Sequence, residues 1–422
     1  MVVTTLDAAY LAFDPAQPLR GPLLRDYYVD REGNPTARMS AILLRNPTAP
    51  DKLLFTGHRG CGKSTELNRL LANPTIQQTF LVVQFSLADI LDPLDLRYLD
   101  LLIAMEAGIY RVGRAAGAPF DPRALHLMAD FWTPEGHKIG FVPPEQSDPE
   151  TRLDAFFEIL IGQFGKLKLE PTSREHLRQA LAARVSDLIS HIAWLSAGVK
   201  TGLDRDVLVV IDDLDKPDLA DAQELFYHHA TALSQPACKV IYTIPIAILY
   251  ASEFRAVARN FAGWFVLPNV KIHDLRGNPY LPGLQTLRDL VYRRVSPNLI
   301  EDEALEYLIA MSGGVMRELT SLLQMAFNEA AVKASPRLMR RHAEWAVAQV
   351  RSEYQRSLRR EHYEQLRQVQ QDKRIREVHR LRPEDEAARR EMELLELLHN
   401  LSILEYDEEG WWDVHPIVAS LL

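Results

Sequence analysis

The chain has 422 residues, 48 Lys+Arg against 57 Asp+Glu and a formal charge of −9, with 47% hydrophobic and 25% charged residues. That length allows two or three domains with a full core, and the balance excludes a disordered tail or a fibre. Only two cysteines, Cys61 and Cys238, exclude a disulfide scaffold and a cysteine-built zinc framework and suit a reducing compartment.

The first residues, Met1–Asp14, lack a basic region ahead of an apolar run, so no signal peptide is expected. The longest apolar stretch, Val240–Ala251, contains Pro245 and is too short to span a bilayer. The expectation is a cytoplasmic protein with no membrane partner.

Five short apolar runs read as buried strands: Leu53–Thr56, Phe80–Phe85, Val207–Ile211, Val240–Ile244 and Trp264–Leu267. Continuous apolar runs suit a parallel sheet covered on both faces, and strand–helix alternation gives the α/β class. Between the second and third runs, residues 86–206 are mostly helical in pattern. Leu99, Leu102, Ile103 and Glu106 begin one amphipathic helix, and Phe156, Ile159, Leu160 and Phe164 mark a second. A third starts at Pro171, with Thr172 and Glu175 as a capping box, and runs to about Ala197. The piece from Trp132 to Pro149, with Pro143-Pro144, reads as an exposed loop or small insertion.

After Pro297 the pattern is helical. Val315, Leu319, Leu322, Leu323 and Ala326 share one helix face. Residues 337–382 are polar, helical and Arg-rich. Ala388, Met392, Leu395 and Leu398 form another helix face, and Leu401–Tyr406 and Trp411–His415 read as a β-hairpin around Asp407-Glu408-Glu409-Gly410. Helix plus hairpin suggests a winged-helix-like unit. The expected layout is an N-terminal segment 1–46, an α/β core 47–295 with a helical insertion at about 87–206, a helical unit 296–350 and a C-terminal unit 351–422.

Gly57-His58-Arg59-Gly60-Cys61-Gly62-Lys63-Ser64 fits G-x-x-x-x-G-K-[ST], after a strand and before the helical pattern that begins at Thr65. Glycines let the backbone curl so that several N–H groups face one anionic pocket, and the helix N-terminus adds partial positive charge. Lys63 is expected to reach the β- and γ-phosphates of ATP, and Ser64 to bind Mg²⁺. The third run ends in Asp212, Asp213 and Asp215, a cluster that calls for a cation or a water network to compensate the repulsion. Asp212 is assigned to the Mg²⁺ shell and Asp213 to the attacking water. An Asp at that position, one methylene shorter than Glu, bears on the hydrolysis rate. Thr243, at the end of the fourth run, is a candidate for the γ-phosphate or its water. Arg255 and Arg259, four apart, are candidates for an arginine finger toward a neighbouring subunit, and Arg317, on the first turn of a helix, for a contact to the nucleotide. Tyr27 and Tyr28 are candidates to flank the base.

With these motifs the chain resembles the AAA+/STAND superfamily of P-loop ATPases, over about residues 25–350. Gly313-Gly314-Val315-Met316-Arg317-Glu318-Leu319 looks like the sensor 2 helix of the origin-recognition branch, and the Asp212-Asp213 pair like the Walker B form of NACHT-like ATPases. The resemblance implies a five-stranded parallel sheet with a helical lid, ATP at a protomer boundary, homo-oligomerisation, and often a C-terminal winged helix. Lys63 and Asp212 are 149 positions apart, longer than the family's usual spacing, which requires an insertion. With no long sensor domain after the ATPase, a switch of this kind implies a separate effector or sensor protein. Such modules occur in bacterial antiviral defence. Two other readings stand beside this one: a DNA-associated loader or transposition-type regulator, and a scaffold that binds nucleotide with little turnover. Residues 337–382 carry 13 Lys+Arg and 6 Asp+Glu (+7), and residues 383–422 carry 2 and 11 (−9). DNA, if bound, is expected on the basic stretch.

Overall fold

The computed structural model describes residues 2–87, 95–138, 147–161, 171–373, 384–406 and 411–422. Its centre is a five-stranded parallel sheet of β1 Lys52–Thr56, β2 Phe80–Ser86, β3 Asp206–Asp212, β4 Lys239–Ile244 and β5 Gly263–Val266, in the order β2-β3-β4-β1-β5. The five apolar runs are these strands. Each of the first four gains a polar residue at one or both ends, and the fifth is shifted one residue toward the N-terminus. Backbone pairing, not side-chain polarity, sets the ends. Lys52 and Lys239 open β1 and β4 and are buried; Lys239 pairs with Asp51 at 2.7 Å, and Lys52 donates to the carbonyls of Pro236 (2.7 Å) and Cys238 (3.0 Å).

Successive strand residues face opposite sides. Leu53, Phe55, Leu208, Val210 and Ile241 pack in the core that holds Met39 and Leu43 of the helix Thr36–Arg45 and Leu67, Leu70 and Leu71 of the helix Lys63–Leu71. Leu54, Val207, Val209, Ile211 and Tyr242 pack in a larger core shared with the insertion, the lid and the C-terminal unit. The parallel register sets Thr56 beside Ile244, and Ile211 beside Tyr242. The loop after β1 and the acids after β3 therefore open on one sheet edge, with β4 between them.

The insertion is built from helices Tyr98–Ala115, Pro122–Lys138, Pro149–Ile161, Pro171–Ala182 and Val185–Leu203. Two expectations are corrected here. Trp132 and Pro134 belong to a helix, not to an exposed loop. Trp132 is buried, stacks on Phe156 with centroids 4.7 Å apart, and donates its indole N–H to Glu106 at 2.8 Å, so aromatic burial outweighs the proline. Residues 139–146, including Pro143-Pro144, lie outside the described residues. The helix expected from Pro171 to about Ala197 is two helices, broken at Ala183-Arg184, and Thr172 stands inside the first turn and is not its cap.

The lid contains helices Leu281–Tyr292, Asp302–Met311, Met316–Val332 and Arg340–Ser357. The N-terminal helix Leu6–Ala12 packs on Met316–Val332, where Phe13 stacks against Phe327. The C-terminal unit comprises helices Arg360–Asp372 and Glu384–His399, the antiparallel pair β6 Ile403–Glu405 and β7 Trp412–Val414, and a short helix Pro416–Ala419. Leu394, Leu395, Leu397 and Leu398 are buried, whereas Met392, expected on that face, is exposed. The expected turn 407–410 lies outside the described residues. No helix among the described residues is long and apolar enough to cross a membrane.

Candidate functional site

The loop Gly57–Gly62 joins β1 to the helix Lys63–Leu71. Gly60 (φ 82°) and Gly62 (φ 105°) lie in the left-handed region that favours glycine. At Gly60 space matters as well, since a Cβ there would sit 2.5 Å from Cβ of Arg317. The lid thus rests directly on the loop, and the Arg317 N–H donates to the Gly60 carbonyl at 3.1 Å. The first N–H groups of the helix after the loop have no carbonyl ahead of them within the helix and suit an anion.

A cavity of about 910 Å³ opens over this loop. Its wall brings together Arg59, Gly60, Gly62, Lys63, Ser64, Thr65, Asp212, Asp213 and Arg317, all expected at one site. Asp212 is buried, on the same cavity wall as Ser64. Burial and the neighbouring Asp213 push it up to about 6, against the opposing effect of the Ser64 hydroxyl. Asp213 has a left-handed backbone (φ 68°) and donates its N–H to Asp212 Oδ1 at 2.8 Å. Its carboxylate accepts from the Ser86 hydroxyl and pairs with Lys216 at 2.9 Å.

Tyr27 and Tyr28 also line the cavity. The Tyr28 hydroxyl bonds Asp30 and Glu66, with Arg69 over its ring, and Arg294 lies over the ring of Tyr27. The N-terminal stretch Leu11–Leu23 supplies much of the remaining wall. Thr65 ties it down, its hydroxyl accepting the Leu19 N–H at 3.1 Å.

Other expected residues are placed elsewhere. His58 is buried and turns away from the cavity, its Nε2 accepting the N–H of Glu405 at 2.8 Å. The Cys61 side chain is buried under the loop, and its carbonyl accepts from Arg31 at 2.6 Å. Gly57 is held beneath the loop, where a Cβ would meet the Leu267 carbonyl at 2.4 Å. The Thr243 hydroxyl is buried and engaged by β3, donating to the Ile211 carbonyl and accepting from the Leu214 N–H, so it positions the acidic turn instead of facing the cavity. Arg255 and Arg259 are exposed, but they do not share one regular helix: Arg255 is in the four-residue helix Phe254–Val257 and Arg259 in the 3₁₀ turn Ala258–Asn260.

Two contributors were not anticipated. Asp215 forms a buried ion pair with Lys63 at 2.9 Å. The third acid of the run was visible in sequence, but its partner lies on another element. Arg31, buried beneath the loop, had no local signal at all.

Four of the nine described basic residues of the stretch pair with acids of the chain. Arg337 pairs with Glu301, Arg340 with Glu344, Arg359 with Glu396 and Lys373 with Asp413. Residues 374–382 lie outside the described residues. Trp411 and Trp412 are buried core residues of the C-terminal unit, against Tyr406 and Tyr250 respectively.

Ser64 and Asp212 are hard oxygen donors on the wall of the same cavity, and they fit one side of a Mg²⁺ shell. Among the described residues no group of three or more His, Cys, Asp or Glu side chains is placed to hold a metal. A Mg²⁺ here would therefore take its remaining ligands from nucleotide oxygens and water.

The phosphate loop, the parallel sheet and the helical lid define a P-loop NTPase fold. No family model and no curated protein matches the chain. Among solved structures it is similar to the Aeropyrum pernix Orc1 protein in complex with DNA (15% identity, 98% of each chain, TM-score 0.41). It is also similar to Cdc6p from Pyrobaculum aerophilum (13%, 97% of this chain and 95% of that one, 0.41) and to the Walker-type ATPase of Pyrococcus abyssi (16%, 97% and 99%, 0.44). Identities this low, with TM-scores below 0.5, leave the functional reading to the site itself.

Proposed function

We propose that this chain is an AAA+-type ATPase that works as a nucleotide-dependent switch. The observation that carries this reading is that Lys63, Ser64, Asp212 and Asp213 converge on one roomy cavity capped by Arg317. ATP would lie with its phosphates over Gly60–Thr65. Lys63 would neutralise them, Ser64 and Asp212 would hold Mg²⁺, and Asp213 would orient the attacking water and take its proton. Arg317 extends from the lid into the same cavity. Nucleotide would therefore draw the lid toward the core, which gives the two states a switch needs. Tyr27 and Tyr28 stand where the base would enter.

Arg255, exposed and away from the cavity, fits a role only across a protomer boundary. The reading therefore includes a homo-oligomer and a separate partner protein. A DNA-associated role is the second reading: among the described residues the basic stretch keeps Arg341, Arg351, Arg356, Arg360 and Arg367 outside the ion pairs with acids, while Arg337, Arg340, Arg359 and Lys373 are in them. The proposed fold offers nothing specific to antiviral defence or to the NACHT-like branch.

The test is calorimetric titration of the whole chain with MgATP, with phosphate release and particle size measured in parallel. The proposal requires saturable binding, turnover and a size change with ATP. Binding with no turnover would leave the scaffold reading, and no binding would remove the reading altogether.

A further inference from the structure

All the donors of Lys63 find partners within the chain. An ammonium has three N–H donors. Lys63 directs them at the Gly57 carbonyl (2.9 Å), the His58 carbonyl (3.0 Å) and Asp215 Oδ2 (2.9 Å). The two carbonyls belong to the loop that curls around Nζ and are part of its shape. Asp215 comes from another element, the turn after β3. Both charges are buried, Lys63 being 5% exposed and Asp215 6%.

The same loop grips that turn a second time. Arg59 donates to the carbonyls of Asp215 (2.9 Å), Lys216 (2.8 Å) and Pro217 (3.1 Å). Lys63 therefore holds the side chain of Asp215 while Arg59 holds its backbone.

We propose that Asp215 is the resident counter-ion of the phosphate loop, an internal stand-in that the phosphates of a nucleotide must displace to reach Lys63. This deepens the nucleotide reading and rests on it. A buried ammonium without an anion is costly, so the empty loop needs a carboxylate. Once a phosphate bonds Lys63, the Asp215 carboxylate faces a like charge in a medium of low dielectric. It has to leave, and Arg59 is the nearby cation that can receive it. Burial alone would raise Asp215, but Lys63 and Arg59 outweigh it and hold the carboxyl below the usual range, so the stand-in is ionised at neutral pH.

The experiment compares wild type with Asp215→Asn, using MgADP as the probe. Without a competing carboxylate, ADP should bind about tenfold more tightly, a 1.4 kcal/mol difference. The ligand-free variant should melt lower than wild type, and saturating ADP should raise its Tm by more. A second arm uses wild type alone: hydrogen exchange at residues 214–216 should speed up when ADP binds. ADP binding that is unchanged or weaker in the variant, or exchange at 214–216 that is unchanged or slower in wild type, overturns the inference. If wild type binds ADP and these signatures fail, this inference alone falls. If wild type binds no ADP, the nucleotide reading falls and takes this one with it.

Discussion

Nε2 of His58, inside the phosphate loop, accepts the backbone N–H of Glu405 in the terminal hairpin at 2.8 Å, joining positions 347 apart in the chain. Burial and the nearby Lys63 push His58 down to about 3, so the ring is neutral and can accept. The Glu405 side chain takes a hydrogen bond from the Tyr250 hydroxyl at 2.6 Å, and Arg59 reaches His399 at 2.8 Å. The loop is thus shared property: its upper surface faces the cavity and its underside carries the C-terminal unit.

His58→Ala leaves the buried Glu405 N–H without its acceptor. Stability should fall by about 1–3 kcal/mol, the usual cost of a buried unsatisfied group. The terminal unit should become protease-sensitive at lower temperature. Limited proteolysis with thermal unfolding checks this, and a variant identical to wild type in both would refute the clasp.

Acid should loosen the same contact. Burial is the leading cause that lowers His58 and His415 to about 3 and His399 to about 4, against 6.5 for a free imidazole. The unfolded chain therefore binds protons that the folded one refuses, and stability falls as pH drops below about 6.5 toward 3. Each histidine contributes about 1.4 kcal/mol per pH unit within that window. Asp212 and Glu318, both raised to about 6 chiefly by burial, act in the opposite direction. The clean measurement is therefore the difference between wild type and His58→Gln in urea unfolding at pH 7.5, 6 and 5. The variant should lose stability less steeply.

Lys63→Ala should abolish nucleotide binding, and it should also destabilise the fold, because Asp215 is left buried without a cation. The expected cost is about 3–5 kcal/mol, and Lys63→Ala with Asp215→Asn should recover much of it. Thermal unfolding of the two variants without ligand decides this. Equal melting temperatures would mean that the ion pair contributes little.

Asp213→Asn keeps a residue that tolerates the left-handed backbone and can still bond Ser86. It should bind MgATP normally while turnover falls about 10²-fold or more, the range for removal of a general base. Single-turnover kinetics separates the two effects. Unchanged turnover would take Asp213 out of the chemistry.

Gly60→Ala introduces a Cβ where Arg317 already sits, on a backbone that disfavours it. The lid helix has to retreat from the loop. ATP affinity should drop more than about tenfold, with a stability loss of about 1–3 kcal/mol. Nucleotide titration and thermal unfolding check both parts.

The sheet was legible because its central strands β1, β3 and β4 are buried on both faces and each therefore reads as one apolar run, while the edge strand β5, with Trp264 exposed, is apolar without being buried. The phosphate loop was legible because its glycines and Lys63 are local requirements of backbone shape. What could not be read were pairings between distant elements. Nothing beside His58 announces Glu405, and nothing beside Asp215 announces Lys63. Trp132 looked like part of a loop because of its prolines, and only Phe156 and Glu106, far along the chain, make it a core residue. Thr243 stands near the end of β4, but which way its hydroxyl turns depends on the end of β3. Arg255 and Arg259 show the limit of spacing arguments, since a separation of four implies a shared face only if the helix continues between them.

The +7 and −9 segments lie against each other, through Arg359 and Glu396, Lys373 and Asp413, and Gln365 and Glu393. The terminal acids thus neutralise part of the charge of the basic helices they pack on. Removing that unit would leave Arg359 and Lys373 without these partners, on a molecule whose overall charge gives no hint of a basic segment. The affinity of the whole chain for polyanions would then report the position of its last forty or so residues more than the composition of its basic ones.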